Sequence, residues 1–286
     1  MAHYYPNEAV LIEIVNDFNK RNETMIGYLR NQYNALEKYA VAYCEDHNKY
    51  LVNQRDGRET GINFKFRNAL LDAVNSARGL GVLLNTREVS TLAHFTPMII
   101  DDNSGSTYCH EEILEQYENY LANPLGFWEQ KQAFFGLCKL IYLVRCNIAH
   151  TGKASFGPNR TKIERDNAIA RIVASVNKLI FNIIMDHPER KLACYGTLID
   201  SPYLEKINAK DGLVSGFLEI VDGLTYFTYE LHTGVVAVKL YQHTSAINFE
   251  DIDTYEGKAY ERILIPVKCG AEMHIANIYE RKYEYA

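Results

Sequence analysis

Arg145 and His150 lie five residues apart at the end of a long apolar segment. Leu137, Ile141 and Val144, which precede them, recur at the spacing of one helix face. A guanidinium is a permanent cation, whereas an imidazole gains and loses a proton near neutral pH. The pair therefore predicts a site that grips a phosphate and moves a proton beside it.

The charge around this pair favours the same chemistry. The chain has 286 residues and a net charge of −6, yet residues 138–190 hold nine Lys or Arg against four Asp or Glu. Such a local excess favours a short phosphate-binding surface and is too small for a long nucleic-acid groove. Lys153 is a further candidate phosphate contact. The alternative is a solvated basic helix face without a ligand.

A second set of candidate residues lies in the last third of the chain. The run Tyr195-Gly196-Thr197-Leu198 follows a strand-like segment, and its glycine lets backbone N–H groups point towards an anion. Glu256 follows about 60 residues later, at the end of a predicted short helix. An amide-rich turn and a carboxyl group are suited to holding a small anionic ligand and moving a proton on it.

Periodicity predicts helices in the first two thirds of the chain and strands after them. Apolar positions at a 3.6-residue period predict helical segments at 8–50, 62–84, 110–121, 125–150 and 160–185. The first segment is one long helix or two helices with a break near Asn22. Strand-like segments follow at 192–195, 213–220, 224–231, 235–241, 262–267 and 273–279. This order predicts two domains, 1–187 and 188–286.

The composition is that of a globular protein, with 47% hydrophobic and 23% charged residues. No apolar run approaches the roughly 20 residues that span a membrane, and the N-terminus lacks the pattern of a signal peptide. The six cysteines form no CxxC pair, and the histidines have no ligand spacing. We therefore expect a cytoplasmic protein with no metal, no other cofactor and no membrane partner. Trp128 is predicted to anchor a core or an interface.

The helix end that carries Arg145 and His150 resembles the Arg-x4-His signature of HEPN domains. The resemblance covers about residues 100–186 and implies an all-α bundle that acts as a metal-independent endoribonuclease on RNA. His150 would be the general base or acid on the RNA 2′-hydroxyl, and Arg145 would stabilise the charge on the phosphorane. It also implies a homodimer through the helical domain. Cys146 follows the arginine where Asn or Asp is commoner, so Asn147 is implied as the orienting residue.

The Tyr195–Leu198 run and the Ile-Asp-x-Tyr-Glu-Gly segment that ends at Gly257 resemble gamma-glutamylcyclotransferases. The resemblance covers about residues 190–282 and implies a small mixed β-barrel. The loop amides would hold the α-carboxylate of a γ-glutamyl compound, and Glu256 would shuttle a proton while the α-amine attacks the γ-carbonyl. Tyr260 would line the pocket. The products would be 5-oxoproline and a free amine.

Three functions remain open on the sequence. The first is RNA cleavage in a stress, toxin or phage-defence role, with the barrel sensing a small γ-glutamyl or amine ligand. The second is cyclotransfer in the barrel, with the helices serving dimerisation. The third is a non-catalytic RNA- or ligand-binding protein, in which Arg145 and His150 only cap a helix C-terminus. Asp200, which follows the amide-rich turn, is expected to repel a carboxylate.

Overall fold

The computed structural model describes residues 4–21, 24–53, 55, 57–94, 110–150, 160–185, 191–200, 204, 209–242 and 248–282, with the backbone alone for 110, 147–150, 160–163, 165 and 166. The chain forms a helical unit followed by a unit built on a closed five-stranded barrel. The helical unit comprises Met1–Pro6 and Asn22–Met185, and the barrel unit comprises Asn7–Arg21 and Asp186–Ala286. The predicted order of helices and then a barrel is confirmed at this level.

The first two thirds of the described chain are helical. In chain order the helices are α1 (Glu8–Asn19), α2 (Met25–Asp46), α3 (Ile62–Ser76), α4 (Leu80–Leu84), α5 (Arg87–His94), α6 (His110–Ala122), α7 (Phe127–His150) and α8 (Arg160–Met185). The helices of the helical unit pack through apolar faces. In α2, for example, Leu29, Leu36 and Tyr43 recur every seven residues and are buried. α2 packs against α3, α7 and α8.

The predicted segment 8–50 is two helices rather than one. Thr24 caps the second helix, because its hydroxyl accepts a hydrogen bond from the Gly27 amide at 3.1 Å. The predicted segment 62–84 is also divided, since Arg78 takes a left-handed φ of 55° between α3 and α4. α5 was not predicted. Trp128 is 64% exposed, so the prediction of a core position is wrong, and its interface role stays a prediction.

Part of α8 is unusually apolar. Its segment Asn167–Met185 is long and apolar enough to cross a membrane by length and composition, with a mean hydropathy of 1.6. This finding corrects the expectation that no apolar run approaches that length. Within the described residues, 56% of the segment is buried inside the protein, as in the core helix of a helical bundle.

The barrel unit contains a closed mixed barrel and a separate hairpin. Its strands are β1 (Leu192–Cys194), β2 (Ala209–Ser215), β3 (Phe217–Val221), β4 (Leu224–Thr228), β5 (Val235–Tyr241), β6 (Tyr260–Cys269) and β7 (Glu272–Arg281), and α9 (Phe249–Glu256) precedes β6. The barrel order is β1-β5-β2-β6-β7. β1 closes it by pairing in parallel with β7, whereas the other neighbours are antiparallel. β3 and β4 pair only with each other among the described strands.

The hairpin β3–β4 begins at a glycine. The sequence predicts one strand over 213–220, but Gly216 has a φ of 138° and ends β2 there. Its amide donates to the Gly234 carbonyl at 3.1 Å, which fixes the chain at the point where it leaves the barrel. Phe227 of β4 is fully buried in the same apolar cluster as Leu240 and Ile265 of the barrel. The hairpin is therefore anchored to the barrel through its side chains.

α1 belongs to the barrel unit, whereas the sequence predicts a helical domain over residues 1–187. It packs against β6, and the Asn19 amide donates to the Leu264 carbonyl at 2.5 Å. Arg21, just after α1, forms an ion pair with Glu280 of β7 at 2.7 Å. Glu280 also accepts a hydrogen bond from the Tyr229 amide at 3.2 Å. The N-terminal helix thus completes a unit whose other elements come from the C-terminal third.

Candidate functional site

A cavity of about 80 Å³ lies at one end of β1 in the barrel unit. Its lining combines the end of β1, the turn after it, the start of β4, the end of α9 and single residues of β6 and β7: Ala193, Cys194, Tyr195, Gly196, Thr197, Leu198, Gly223, Leu224, Thr225, Glu256, Tyr260 and Tyr279. All six residues that the sequence predicts for the barrel site are among them. The turn Tyr195–Leu198 therefore lines the same cavity as Glu256 and Tyr260, although these two residues follow it by about 60 positions in the sequence.

The turn after β1 is shaped by Gly196. Its φ of 58° is left-handed, and it starts a short 3-10 turn, Gly196–Asp200. Leu198 is buried and holds the turn to a second apolar cluster of the unit, which includes Phe249 and Ile252 of α9. The first N–H groups of a helical turn have no partner within the turn. At this cavity they can donate to a ligand oxygen.

Glu256 is the last residue of α9. Gly257 ends the helix with a φ of 72°, and its amide donates to the Asp253 carbonyl at 3.1 Å. Burial raises the pKa of the Glu256 carboxyl to about 7. The partial negative charge at the C-terminal end of α9 also raises the pKa of this carboxyl group. Near neutral pH the group can therefore both accept and return a proton.

Three tyrosines form the wall of the cavity, and each hydroxyl has a fixed partner. Tyr195 donates to the Tyr279 carbonyl at 2.8 Å, and it accepts from the Phe227 amide at 3.1 Å. Tyr260 donates to the Thr225 carbonyl at 3.0 Å. The Tyr279 hydroxyl donates to Asp253 at 2.5 Å. Because these hydroxyls hold the β-hairpin and α9 in place, they shape the cavity while Glu256 supplies its exchangeable proton.

The charge at the cavity is set by Glu256. Among the described residues that line the cavity there is no Lys or Arg. Arg262, which lies nearby in β6, is paired with Asp253 at 3.1 Å and covers the Phe249 ring at 4.3 Å. Asp200 is exposed and does not line the cavity. The expected repulsion between Asp200 and a bound carboxylate is therefore weakened by solvent.

The sequence reasoning missed the contribution of β4 and β7. Gly223, Leu224 and Thr225 enter the cavity lining from the tip of the β3–β4 hairpin, and Tyr279 enters from β7. The Asp222-Gly223 pair indicates a turn, which the structure confirms with a φ of 80° at Gly223. The Asp222-Gly223 pair does not indicate that this turn lies over the cavity. Tyr279 has no local signal, because its role depends on the closure of the barrel.

The predicted phosphate site of the helical unit is described only in part. α7 continues without interruption to His150, but the side chains of Asn147 and His150 and the whole of Lys153 lie outside the described residues. The Arg145 guanidinium is half-buried and lies 5.3 Å from the centre of the Tyr33 ring. Its Nε–H is buried and has no hydrogen-bond partner among the described residues.

The helix geometry constrains how Arg145 and His150 could share a phosphate. Positions five apart on a helix differ by about 140° around its axis. The two residues therefore lie on different faces of α7. Glu37 of α2 lies near Arg145: burial raises the pKa of its carboxyl, and the guanidinium opposes that rise.

No protein-family model and no curated protein matches the chain. Among solved structures, the crystal structure of YkqA from Bacillus subtilis is similar over 33% of this chain, with 17% sequence identity and a TM-score of 0.28. The matched region spans 36% of that protein.

Proposed function

We propose that the barrel unit is a cyclotransferase that converts a γ-glutamyl amine into 5-oxoproline and a free amine. The observation that carries this proposal is Glu256, a carboxyl group with a pKa of about 7 that lines the same small cavity as the Tyr195–Leu198 turn. The reaction needs little besides positioning and one group that exchanges protons near neutral pH.

The turn is the proposed holder of the substrate α-carboxylate. Because no Lys or Arg lines the described cavity, the negative charge is met by the backbone N–H groups at Gly196 and Thr197. Gly196 supports this role, since its left-handed φ turns the chain sharply after β1. The small volume of the cavity suits the glutamyl head, and the leaving amine would extend towards solvent.

The proposed reaction is one intramolecular transfer. The substrate α-amine attacks the γ-carbonyl carbon, and a new C–N bond closes the five-membered ring. Ionised Glu256 takes the proton that the attacking nitrogen releases. It then delivers this proton to the leaving nitrogen as the γ-amide C–N bond breaks. One C–N bond forms, one breaks, and Glu256 ends in the state in which it began.

The first prediction is that Glu256→Gln abolishes 5-oxoproline release. Glutamine keeps the size of the side chain but cannot accept the proton, so we expect a loss of at least about 100-fold, within the usual range for a general acid or base. The measurement is chromatographic detection of 5-oxoproline from a panel of γ-glutamyl amines. Glu250→Gln, an exposed residue on the same helix, is the matched control. A wild-type chain that releases none from any member of the panel would falsify the proposal.

The second prediction concerns pH. The reaction needs the ionised form of Glu256 to begin, so kcat/KM should rise as pH increases through about 7. An ordinary glutamate would place this rise near its usual pKa of about 4.3. A profile that is flat between pH 5 and 8 would assign the proton transfer to another group.

We also propose RNA cleavage by the helical unit as a second candidate function. The observation that favours it is the half-buried Arg145 guanidinium, held over Tyr33 with a buried Nε–H that has no partner in the described chain. In the proposed site, two copies of the Arg145–His150 segment share one cleft in a homodimer. RNA would be cut to a 2′,3′-cyclic phosphate.

The third prediction tests this candidate. Transfer RNA should be cleaved in the presence of EDTA, and both Arg145→Ala and His150→Ala should remove the cleavage. If each residue comes from a different copy, mixing the two inactive variants should restore part of the activity in mixed dimers. Arg171→Ala, on the neighbouring helix α8, is a control for loss of a nearby positive charge. Cleavage that survives in His150→Ala would show that another group is responsible.

A further inference from the structure

Two segments form the mouth of the barrel-unit cavity. The lining residues that are exposed to solvent are Gly196, Thr197, Gly223 and Leu224. They come from the turn after β1 and from the tip of the β3–β4 hairpin. A cavity of about 80 Å³ holds little more than the glutamyl head of a substrate. The leaving amine of a γ-glutamyl compound therefore extends through this mouth.

Leu224 is the largest side chain at the mouth. It lines the cavity and is 50% exposed, so it lies at the boundary between the cavity and solvent. Residues two apart on a strand point to the same face, so Leu224 shares a face of β4 with Tyr226. The Tyr226 ring stacks on that of Tyr260, another lining residue, with the ring centres 5.0 Å apart. The hairpin side of the mouth is therefore apolar and aromatic.

The polar side chains of the cavity leave no charged partner for the leaving amine. The hydroxyl groups of the three lining tyrosines each donate to a partner within the protein. Apart from Glu256, the proposed proton carrier, no described side chain of the lining is charged. Thr197 and Thr225 add only neutral hydroxyl groups. A carboxylate on the leaving amine would therefore find no cation in the lining.

Two exposed carboxylates adjoin the segments that form the mouth. Asp200 ends the turn after β1, and Asp222 lies in the turn of the hairpin. Solvent screens both, so they repel a carboxylate and attract a cation only weakly. Lys258, two residues beyond Glu256, is exposed and does not offset the burial that raises the pKa of the Glu256 carboxyl. Apolar contact is therefore the interaction by which the mouth discriminates between leaving amines.

We propose that this mouth selects γ-glutamyl amides whose amine portion is an uncharged alkyl or aryl group, and that Leu224 determines this specificity. The inference rests on the proposed cyclotransferase function, because it concerns the same cavity. An alkyl or aryl group covers Leu224 and removes apolar surface from water. A carboxylate in the same place loses water without gaining a partner.

The test compares four substrates on the full-length protein. γ-Glutamyl-3-methylbutylamide is the apolar compound, and γ-glutamyl-leucine differs from it only by an added carboxylate. γ-Glutamyl-ethylamide has a shorter alkyl group, and the γ-glutamyl amide of 1,4-diaminobutane carries a positive charge. We expect kcat/KM for 5-oxoproline release to be about tenfold or more higher for the first compound than for each of the others.

Leu224→Gln assigns the preference to one side chain. Glutamine is similar in length but replaces the methyl groups with an amide, so kcat/KM for the methylbutylamide should fall about tenfold. The value for the ethylamide should stay unchanged, which also shows that the variant folds. Leu213→Gln is the matched control, because Leu213 of β2 is 48% exposed and lies outside the cavity lining. It should change neither value.

Binding to the Glu256→Gln variant separates this inference from the proposed reaction. Calorimetry on this variant measures recognition of the four compounds without turnover. If the wild type releases no 5-oxoproline but the variant binds the methylbutylamide about tenfold more tightly than γ-glutamyl-leucine, the reaction is wrong and the specificity stands.

Three results would overturn the specificity. The first is equal handling of the methylbutylamide and γ-glutamyl-leucine, or no binding and no turnover of either. The second is a preference for the diaminobutane compound, which would assign the mouth to a cation. The third is a preference that Leu224→Gln leaves intact.

Discussion

At the scale of the single residue, the environment of Glu256 separates it from an exposed carboxyl group of the barrel unit such as Glu272. Burial raises its pKa to about 7, whereas the Lys210 ammonium group holds the pKa of the exposed Glu272 carboxyl below its usual value. A buried carboxyl with a raised pKa weakens the fold when it ionises. Glu256 is therefore positioned for proton transfer at the expense of stability, as groups at functional sites often are.

The fourth prediction follows from this shift. The folded pKa lies above the unfolded value of about 4.3, so the protein loses stability as pH rises from about 4.5 to 7. Glu256→Gln removes this loss and should stabilise the protein at pH 8 but not at pH 4. The gain should be on the order of 1 kcal/mol, because the carboxyl is only partly buried. Urea unfolding at both pH values measures it, and an equal change at both would contradict the assignment.

At the scale of the element, the hairpin β3–β4 is the part of the barrel unit that encloses the cavity. It leaves β2 at Gly216 and contributes Gly223, Leu224 and Thr225 to the lining. The Tyr260 hydroxyl holds it through the Thr225 carbonyl. A change at Gly216 should therefore act on both stability and the cavity, although the residue itself does not line it.

The fifth prediction is that Gly216→Ala destabilises the barrel unit by about 2 kcal/mol or more. A methyl group at Gly216 would clash with the Thr228 carbonyl and lie 2.8 Å from the Phe227 ring, and the φ of 138° is itself strained for alanine. Gly223→Ala is the matched control, because its φ is also positive but it has open space around it. Thermal unfolding should show a clearly smaller effect for the control. Equal effects would mean that the backbone angle, and not the packing, decides the cost.

At the scale of the whole molecule, the chain contributes to the barrel unit twice. Residues Asn7–Arg21, which include α1, belong to it, and so do residues Asp186–Ala286 with the barrel strands, whereas Met1–Pro6 and Asn22–Met185 belong to the helical unit. Arg21 connects these two contributions through its ion pair with Glu280, which is only 5% exposed. A buried carboxylate that loses its cation typically costs about 3–5 kcal/mol. The C-terminal third is therefore incomplete without α1, and that third expressed alone would expose the face of β6 on which α1 packs.

Local side-chain periodicity by itself determined most of the secondary structure. α8 and β5 have the bounds that the sequence predicts, 160–185 and 235–241, because apolar spacing along a segment reflects the face it buries. The amide-rich turn and Glu256 were also identified from residue types, because a glycine permits the turn and a carboxyl group can exchange a proton. These features depend on neighbours in sequence.

Tertiary structure alone decided how the site is enclosed and tuned. The assignment of α1 to the barrel unit, the hairpin over the cavity and the position of Tyr279 all depend on contacts between residues far apart in the chain. The pKa of Glu256 depends on them too, because burial is the sum of neighbours brought by several strands and a helix. Sequence spacing specifies which groups are available, whereas desolvation, and with it the chemistry near neutral pH, exists only once the barrel has closed.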